Sequence, residues 1–536
     1  MDNFRKRTPK PRKKIDGIDG FIRKPKTTTD FPDLNKSSNQ KKASSSIESG
    51  FVKKEGFWPR KSGSTPDGTS LGRRQLKVGD IDMNIDESKK NNKRFGKPKK
   101  SKKKIFLVLI IVFLLFAGSA GFWAWQKARS IFQGGGNSAI INGDIDPSKL
   151  KGEGDGRINI LLLGKGGVGH DGADLTDTIL IASVDPINDK ANLLSIPRDL
   201  YVKAPGIGST KINAVYALTK QAALNKGKSE KQAEEDGINA IEDMIQAVTG
   251  ITMHYHAMID FTGFEKAIDT VGGITVNVKE PLYDATMAWE NNGNPLLAPA
   301  GEQVMNGRKA LMFARSRHGS ARGDFDRSER QRLIIVALRD KIFSAGTYSN
   351  PVKISRLIND FGSHIGTNLS IDEIMKLYNI GQKIDGNKTV SLGLVDPPHD
   401  YLTTDNINGL SVVVPKAGLN NYAAIQAFVR SSLKDGFIEK ENPSIVIYNG
   451  TASPGLAKEK ADILKSYGYN VTSVQDYRDK SVQQTMLIDL KKKDTKYTKR
   501  YLELRYKTSA TTRMPEGLSV PENTDFVIIL GQNEAT

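Results

Sequence analysis

Hydrophobic residues change their spacing several times along this 536-residue chain, and each change predicts a different kind of structure. Over residues 1–104 they are scattered without a period, so burial cannot offset the entropy of ordering, and a disordered tail is expected. Ile105 to Trp125 is a run of 21 residues without a charge. As a helix it spans about 31 Å and matches the roughly 30 Å core of a bilayer. A transmembrane helix over 105–125 is predicted rather than a cleaved signal peptide, since the run is too long and too far from Met1. Gly, Asn and Asp dominate from Gln133 to Gly156, so 126–156 reads as a flexible stalk.

Beyond the stalk the pattern alternates. Arg157 to Gly164, Thr178 to Val184 and Ala191 to Ile196 predict three buried strands, the last closed by Pro197. Helical spacing follows over Lys211 to Leu224 and Ala233 to Thr249. A strand-like His254 to Ile259 precedes a short helix around Gly263 to Val271. An amphipathic helix is expected over Asp326 to Phe343, with further helices near Pro351 to Ile358 and Ile371 to Gln382 and a strand near Thr389 to Leu394. The alternation predicts an α/β fold for 157–434. A second, smaller α/β module is expected over 444–533, with strands at Ser444 to Tyr448, Tyr469 to Val474 and Asp525 to Leu530 and a helix at Leu456 to Tyr467.

Charge alters the functional picture through its distribution. The net +19 comes from 79 Lys+Arg and 60 Asp+Glu. Residues 1–104 hold 30 and 12 of these, a surplus of 18, so the remainder has 49 (79 − 30) against 48 (60 − 12). The foldable part is nearly neutral, which excludes a nucleic-acid groove across the whole protein. Ten Lys or Arg crowd Lys89 to Lys104, whereas Lys127 and Arg129 are the only ones just beyond the apolar run. Positive charge stays inside, so the tail is expected in the cytoplasm and 126–536 outside the cell membrane. The absence of cysteine removes disulfides, thiolate chemistry and Cys-ligated metals.

The densest polar cluster holds Arg315, Arg317, Arg322, Arg327, Arg330 and Arg332 with Asp324, Asp326 and Gln331. On a strand suggested by Ala310 to Ala314, Arg315 and Arg317 project to one face. Arg327, Arg330 and Gln331 share a face at the start of the following helix. Forked guanidinium groups at a helix N-terminus suit a pyrophosphate; a solvated helix face with surface ion pairs is the other reading. Asp171, Asp174 and Asp177 lie between the first two strands. They can hold Mg²⁺ together with water and phosphate, or serve as plain loop formers. Arg198 follows Pro197 at a strand end, where α/β proteins face their ligand crevice; pairing with Asp199 is the alternative. Gly164 to Gly169 fits G-x-G-x-x-G, but only nine residues separate it from Ile179, so no crossover helix and no dinucleotide site fit.

Several ordered stretches together resemble the catalytic domain of the LytR-CpsA-Psr family. These are Thr176-Asp-Thr178, Leu194-Ser-Ile-Pro-Arg-Asp199, Lys211-Ile-Asn-Ala214, Gly272-Gly-Ile274, Gly301-Glu-Gln-Val-Met-Asn-Gly307, Ala314-Arg-Ser-Arg317 and Gly323-Asp-Phe-Asp-Arg-Ser-Glu-Arg-Gln331. Val446-Ile-Tyr-Asn-Gly-Thr451 and Gly455-Leu-Ala457 are similar to the C-terminal domain often appended to it. The resemblance implies a three-layer-like α/β/α catalytic domain, a small C-terminal α/β domain and a single N-terminal transmembrane helix.

It further implies transfer of a polyprenyl-pyrophosphate-linked glycopolymer to peptidoglycan, with release of polyprenyl phosphate and Mg²⁺ (or Mn²⁺) as cofactor. Carried over by position, Asp177 binds the metal, Arg198, Arg315, Arg317, Arg327 and Gln331 surround the pyrophosphate, and Asp324 orients an arginine or helps activate the acceptor. Where the family carries a second metal aspartate in a Gly-x-Asp context this chain reads Gly164-Lys165, which leaves Asp171 or Asp174 as substitutes. Hydrolysis of the lipid pyrophosphate, and a non-catalytic envelope-binding or regulatory role, are the competing functions.

Overall fold

Strands that are apolar on both faces set the architecture. In the computed structural model β1 (Ile158–Lys165) pairs antiparallel with β2 (Thr176–Asp185), and β2 with β3 (Lys190–Ser195). Tyr255–Asp260 lies parallel to β1 with Ile365–Thr367 outside it, and Thr389–Gly393 lies parallel to β3, completing a mixed six-stranded sheet. Leu161, Leu163, Ile179, Ile181 and Leu194 pack on one side against the helices Val215–Asn225, Glu230–Thr249 and Ala423–Ser432. Leu162, Leu180, Ala257 and Ile259 face the other side, which the helices Phe261–Thr270, Gly307–Arg315 and Asp324–Phe343 cover. Helices on both faces of one sheet make this a mixed α/β fold, as expected.

The structure describes residues 145–344, 364–384, 386–490 and 492–535, with 136 and 138–142. The predicted tail, the span over 105–125 and the helix near 351–358 lie outside the described residues. Among those described, no helix is long and apolar enough to cross a membrane.

Local signals fix the element ends. Glu230–Thr249 starts at a capping box, Ser229 with Gln232, and stops at Gly250, whose φ of 76° is open to glycine. One expectation fails here. Ala310 to Ala314 is not a strand but part of the helix Gly307–Arg315, whose N-cap Asn306 accepts from the Lys309 N–H at 2.9 Å. Five consecutive buried apolar residues carry no period, so only the cap distinguishes helix from strand.

The C-terminal sheet has the order Asn470–Asp476, Ser444–Asn449, Phe526–Leu530, Met486–Asp489. The helices Leu456–Ser466 and Lys496–Tyr506 cover one face. Loop residues including Met514, Leu518 and Val520 cover the other. One apolar cluster runs from this module, through Ile445 and Phe526, to Ile158 and Tyr255 of the larger sheet.

The described end of the stalk is correspondingly no free linker. Ile140, Ile141, Ile145 and Leu150 are buried in that shared cluster, and the Tyr497 hydroxyl donates to the Ile145 carbonyl at 3.1 Å. Glycine-rich composition hid four aliphatic anchors. A buried polar hub reinforces the junction: Asp435, 3% exposed, accepts from the N–H groups of Gly154, Gly156, Phe437 and Ile438 and from the Tyr501 hydroxyl. Beside it the guanidinium of Arg157 donates to Ser183, Asn192 and the Lys434 carbonyl.

Candidate functional site

The first turn of Asp324–Phe343, the start of β2 and the loop after β3 converge on one point. Gly323 precedes the helix with a φ of 53°, and Asp324 and Asp326 occupy its first turn, where the helix dipole favours negative charge. Arg198 donates from Nη1 to Asp177 Oδ1 at 2.5 Å, and its Nε lies 3.5 Å from Asp324 Oδ1 and 3.6 Å from Asp199 Oδ2. Asn213 also donates to Asp177 Oδ1, at 3.0 Å. Arg327, only 2% exposed, reaches the Asp177 carbonyl at 3.3 Å and Asp324 Oδ1 at 2.9 Å. Arg317 Nε lies 3.4 Å from Asp324 Oδ1. Three guanidinium groups thus share Asp324, and two of them also hold Asp177.

Burial sets the electrostatics, and neighbours modify them. Burial alone would lower the Arg198 guanidinium, but Asp177, Asp324 and Asp199 outweigh it and hold it above its ordinary value. Arg327 goes the other way: burial pushes it down to about 10, and the adjacent positive charges of Arg198 and Arg317 add to the effect while Asp324 and Asp177 oppose it. It remains charged at neutral pH, and its Nε is buried without a hydrogen-bond partner. An unsatisfied cationic donor is costly unless something else meets it.

Arg327 lines a cavity of about 210 Å³ between the sheet and the helices on its second face. Leu162, Leu180, Ile259, Phe264, Ile334 and Leu338 are among its apolar walls, and Asp177, Arg315, Arg327 and Gln331 form its polar end. Arg315 also stacks its guanidinium over the Phe261 ring at 4.9 Å and pairs with Glu290 at 3.0 Å.

The structure therefore sorts the sequence candidates. Arg198, Arg315, Arg317, Arg327, Gln331, Asp177 and Asp324 come together. Arg330 does not share the face of Arg327 and Gln331: it donates to the carbonyls of Phe313 and Ser316, closing the C-terminal end of Gly307–Arg315. Arg332 bonds Ser195 and Asp396, and Arg322 bonds Asp326, Glu329 and Asp396.

Asp171, Asp174 and Asp177 are not gathered into a metal cluster. Asp171 is exposed, and Asp174 pairs with Lys165 at 2.8 Å and with Lys220 at 3.2 Å. Lys165, standing where the resemblance leads one to expect a Gly-x-Asp motif, thus takes up one of the two substitutes. Among the described residues no three acidic or histidine side chains are placed to hold a metal by themselves.

Sequence reading missed three residues around Arg315. Asp284, Trp289 and Glu290 lie in an irregular stretch with no period to single them out. Their only local signal is the Asp284 cap of the 3₁₀ helix Ala285–Asn291.

Known proteins similar to this chain come from cell-wall assembly. The chain is 27% identical over 420 residues to the cell wall biosynthesis protein LcpA of Corynebacterium glutamicum, covering 68% of this chain and 75% of that protein. It is 31% identical over 225 residues to the polyisoprenyl-teichoic acid–peptidoglycan teichoic acid transferase TagU of Oceanobacillus iheyensis, 41% of this chain and 61% of that one. For the Bacillus subtilis transferase TagV the identity is 28% over 306 residues, 54% and 70% of the two chains. Residues 442–533 match the model described as LytR cell envelope-related transcriptional attenuator. With residues 132–423, more than half its length, matching the LytR-CpsA-Psr model, the chain belongs to the LytR-CpsA-Psr family.

Proposed function

We propose that this protein is a phosphotransferase that moves a glycopolymer from a polyprenyl-pyrophosphate carrier to a peptidoglycan hydroxyl in cell-wall assembly. One observation carries the reading: an apolar cavity that ends on Arg315, Arg327, Gln331 and Asp177. A prenyl chain suits the apolar walls and a diphosphate suits the guanidinium end. The names of the TagU and TagV relatives, polyisoprenyl-teichoic acid–peptidoglycan teichoic acid transferases, support the same donor and acceptor classes.

The acceptor oxygen forms a bond to the glycan-proximal phosphorus as the bond from that phosphorus to the bridging oxygen breaks. Polyprenyl phosphate leaves, and the hydroxyl proton passes to a base. Phosphoryl transfer needs positioning and charge neutralisation above all, which arginines already gathered at one point supply. Arg327, already desolvated, is the group whose interaction strengthens most as charge develops on the phosphate oxygens.

A divalent ion, Mg²⁺ or Mn²⁺, belongs to this reading. Mg²⁺ takes one or two carboxylates and fills its other positions with phosphate oxygens and water. Asp177 and Asp324 offer such a pair, and the Oδ1 of Asp324 is held by ion pairs to Arg198, Arg317 and Arg327. When bound, the ion would neutralise the diphosphate; Asp177 and Asp324 would hold it. The reading also includes a single membrane span at 105–125 with the tail 1–104 in the cytoplasm, supported by the uncharged run and the ten basic residues before it.

The test uses the full chain in nanodiscs with a lipid-pyrophosphate disaccharide, peptidoglycan and Mg²⁺. Release of polyprenyl phosphate together with a new glycan–peptidoglycan phosphodiester is expected, and Arg315→Ala and omission of the ion should each abolish it. Free phosphorylated glycan in place of the phosphodiester would make the protein a hydrolase. Lipid binding with no turnover would make it a binding protein.

A further inference from the structure

A second cavity, of about 250 Å³, opens beside the first. Arg315 lines both. Asp324 and Arg317 line it together with Glu290, His318 and Trp289. It is more polar than the first, and Glu290, His318 and Trp289 take no part in the chemistry described above.

Trp289 is 75% exposed, whereas tryptophan is on average largely buried. An exposed indole on a loose loop would be unremarkable, but this one sits on a fixed mount. Asp284, 2% exposed, accepts from the Thr286 N–H at 3.0 Å through one oxygen and from the Ser316 hydroxyl at 2.8 Å through the other. The 3₁₀ helix that carries Trp289 is thereby tied to the segment that follows Arg315. Arg308 donates to the Glu290 carbonyl at 2.7 Å, and Asn291 donates to the carbonyls of Asn294 and Leu296 at 2.9 Å. The adjoining turn has no slack either, because a Cβ on Gly319 would come within 1.8 Å of the Tyr283 carbonyl. A side chain held in place before binding loses little entropy when a ligand arrives.

Aromatic faces are electron-rich and attract the weakly positive C–H groups of a pyranose ring. Carboxylate, guanidinium and imidazole groups beside such a face accept from and donate to its hydroxyls. We infer that the cavity beneath Trp289 is a saccharide subsite in which the indole stacks on a pyranose ring next to the reacting phosphorus. This rests on the transferase reading above. A lipid-linked glycan is a linear amphiphile, prenyl chain then diphosphate then sugar, and the protein presents apolar cavity, then arginines, then Trp289 in the same order with Arg315 at the joint. The ring comes either from the first sugar of the donor or from the glycan strand of the acceptor, and the two sources separate by experiment.

Full-length protein in nanodiscs is titrated with three probes: bare polyprenyl pyrophosphate, the same lipid carrying an N-acetylglucosamine-containing disaccharide, and a soluble tetrasaccharide of the peptidoglycan backbone. Trp289→Ala should weaken one of the two sugar-bearing probes about tenfold and leave bare lipid unchanged, while Trp289→Phe, which keeps an aromatic face, restores most of the loss. A loss confined to the lipid-linked disaccharide assigns the donor sugar; a raised KM for the tetrasaccharide alone assigns the acceptor. If all three probes bind Trp289→Ala as they bind wild type, or if bare lipid weakens equally, the saccharide subsite is refuted. Retained turnover in that variant would leave the transferase reading standing. Wild-type protein that binds none of the probes would refute both.

Discussion

Replacing Arg327 by methionine separates a functional anion site from an ordinary structural ion pair. A guanidinium held near 10, well below its ordinary range, carries a cost of about 3 kcal/mol at neutral pH, since each tenfold change in proton affinity corresponds to about 1.4 kcal/mol. The sign follows from which form is disfavoured. Burial penalises the charged form, so the cost is fully present below pH 10 and fades only as pH rises above 10 toward the ordinary guanidinium range. Methionine fills much of the same space without charge. The attraction of Asp324 is already contained in that value; methionine loses besides it the charged hydrogen bond to the Asp177 carbonyl, worth about 2 kcal/mol, and Asp324 keeps Arg198 and Arg317 as partners. Net stabilisation of about 1 kcal/mol is expected, a rise in Tm of about 1–2 °C by calorimetry. Polyprenyl phosphate release should meanwhile fall by about 10²–10³, the usual loss for one preorganised donor. A Tm several degrees lower, with turnover reduced only in proportion to folded protein, would show that Arg327 is a structural tie and would refute the reasoning.

Two further outcomes test the framework around the site. Asp435→Ala orphans five buried donors and should cost about 3–5 kcal/mol in urea denaturation, and a change below about 1 kcal/mol would mean the hub is not a structural joint. Burial holds the His254 imidazole below its ordinary 6.5, and its Nδ1 accepts from the Asn159 N–H at 3.0 Å. The unfolded chain therefore protonates first, so stability is complete above about 6.5 and is lost as pH falls from there through the lower folded value. His254→Asn keeps an acceptor in place and should flatten the fall in Tm between about pH 8 and pH 5; equal slopes in the two proteins would contradict this.

Much of the larger sheet was legible because β1, β2 and β3 are buried on both faces and so read as continuous apolar runs. The helix Lys496–Tyr506 escaped notice because its buried side is built from Tyr497, Tyr501, Leu502 and Tyr506 amid lysine and arginine, a stripe whose apolar character lies in ring faces. Met486–Asp489 escaped because four residues show no period. At the site the arginine cluster was visible as composition, but composition does not say where each fork points. Arg327 and Arg330 are three residues apart on one helix. The first meets the cavity and the second closes a neighbouring helix, a division set by where Gly307–Arg315 packs and thus by tertiary structure. The same holds for Asp174, whose pairing with Lys220 depends on a helix more than forty residues away in sequence.

The resting site is close to electrically balanced: Asp177, Asp199 and Asp324 stand against Arg198, Arg317 and Arg327. It therefore offers no large surplus field to draw in a simple anion, and a free phosphate has to compete with carboxylates already in place and correctly oriented. On the transferase reading a diphosphate prevails because the prenyl chain contributes burial in the adjoining cavity, so recognition is an exchange of partners and not the filling of a positive hole. The exchange has a chemical consequence. Arg198, Arg317 and Arg327, which hold Asp324 at rest, would then share their charge between it and the diphosphate, leaving Asp324 freer to hold the divalent ion beside the second cavity. On this reading the ion would be held firmly only when the donor is bound, which would link metal occupancy to donor occupancy through the same three arginines.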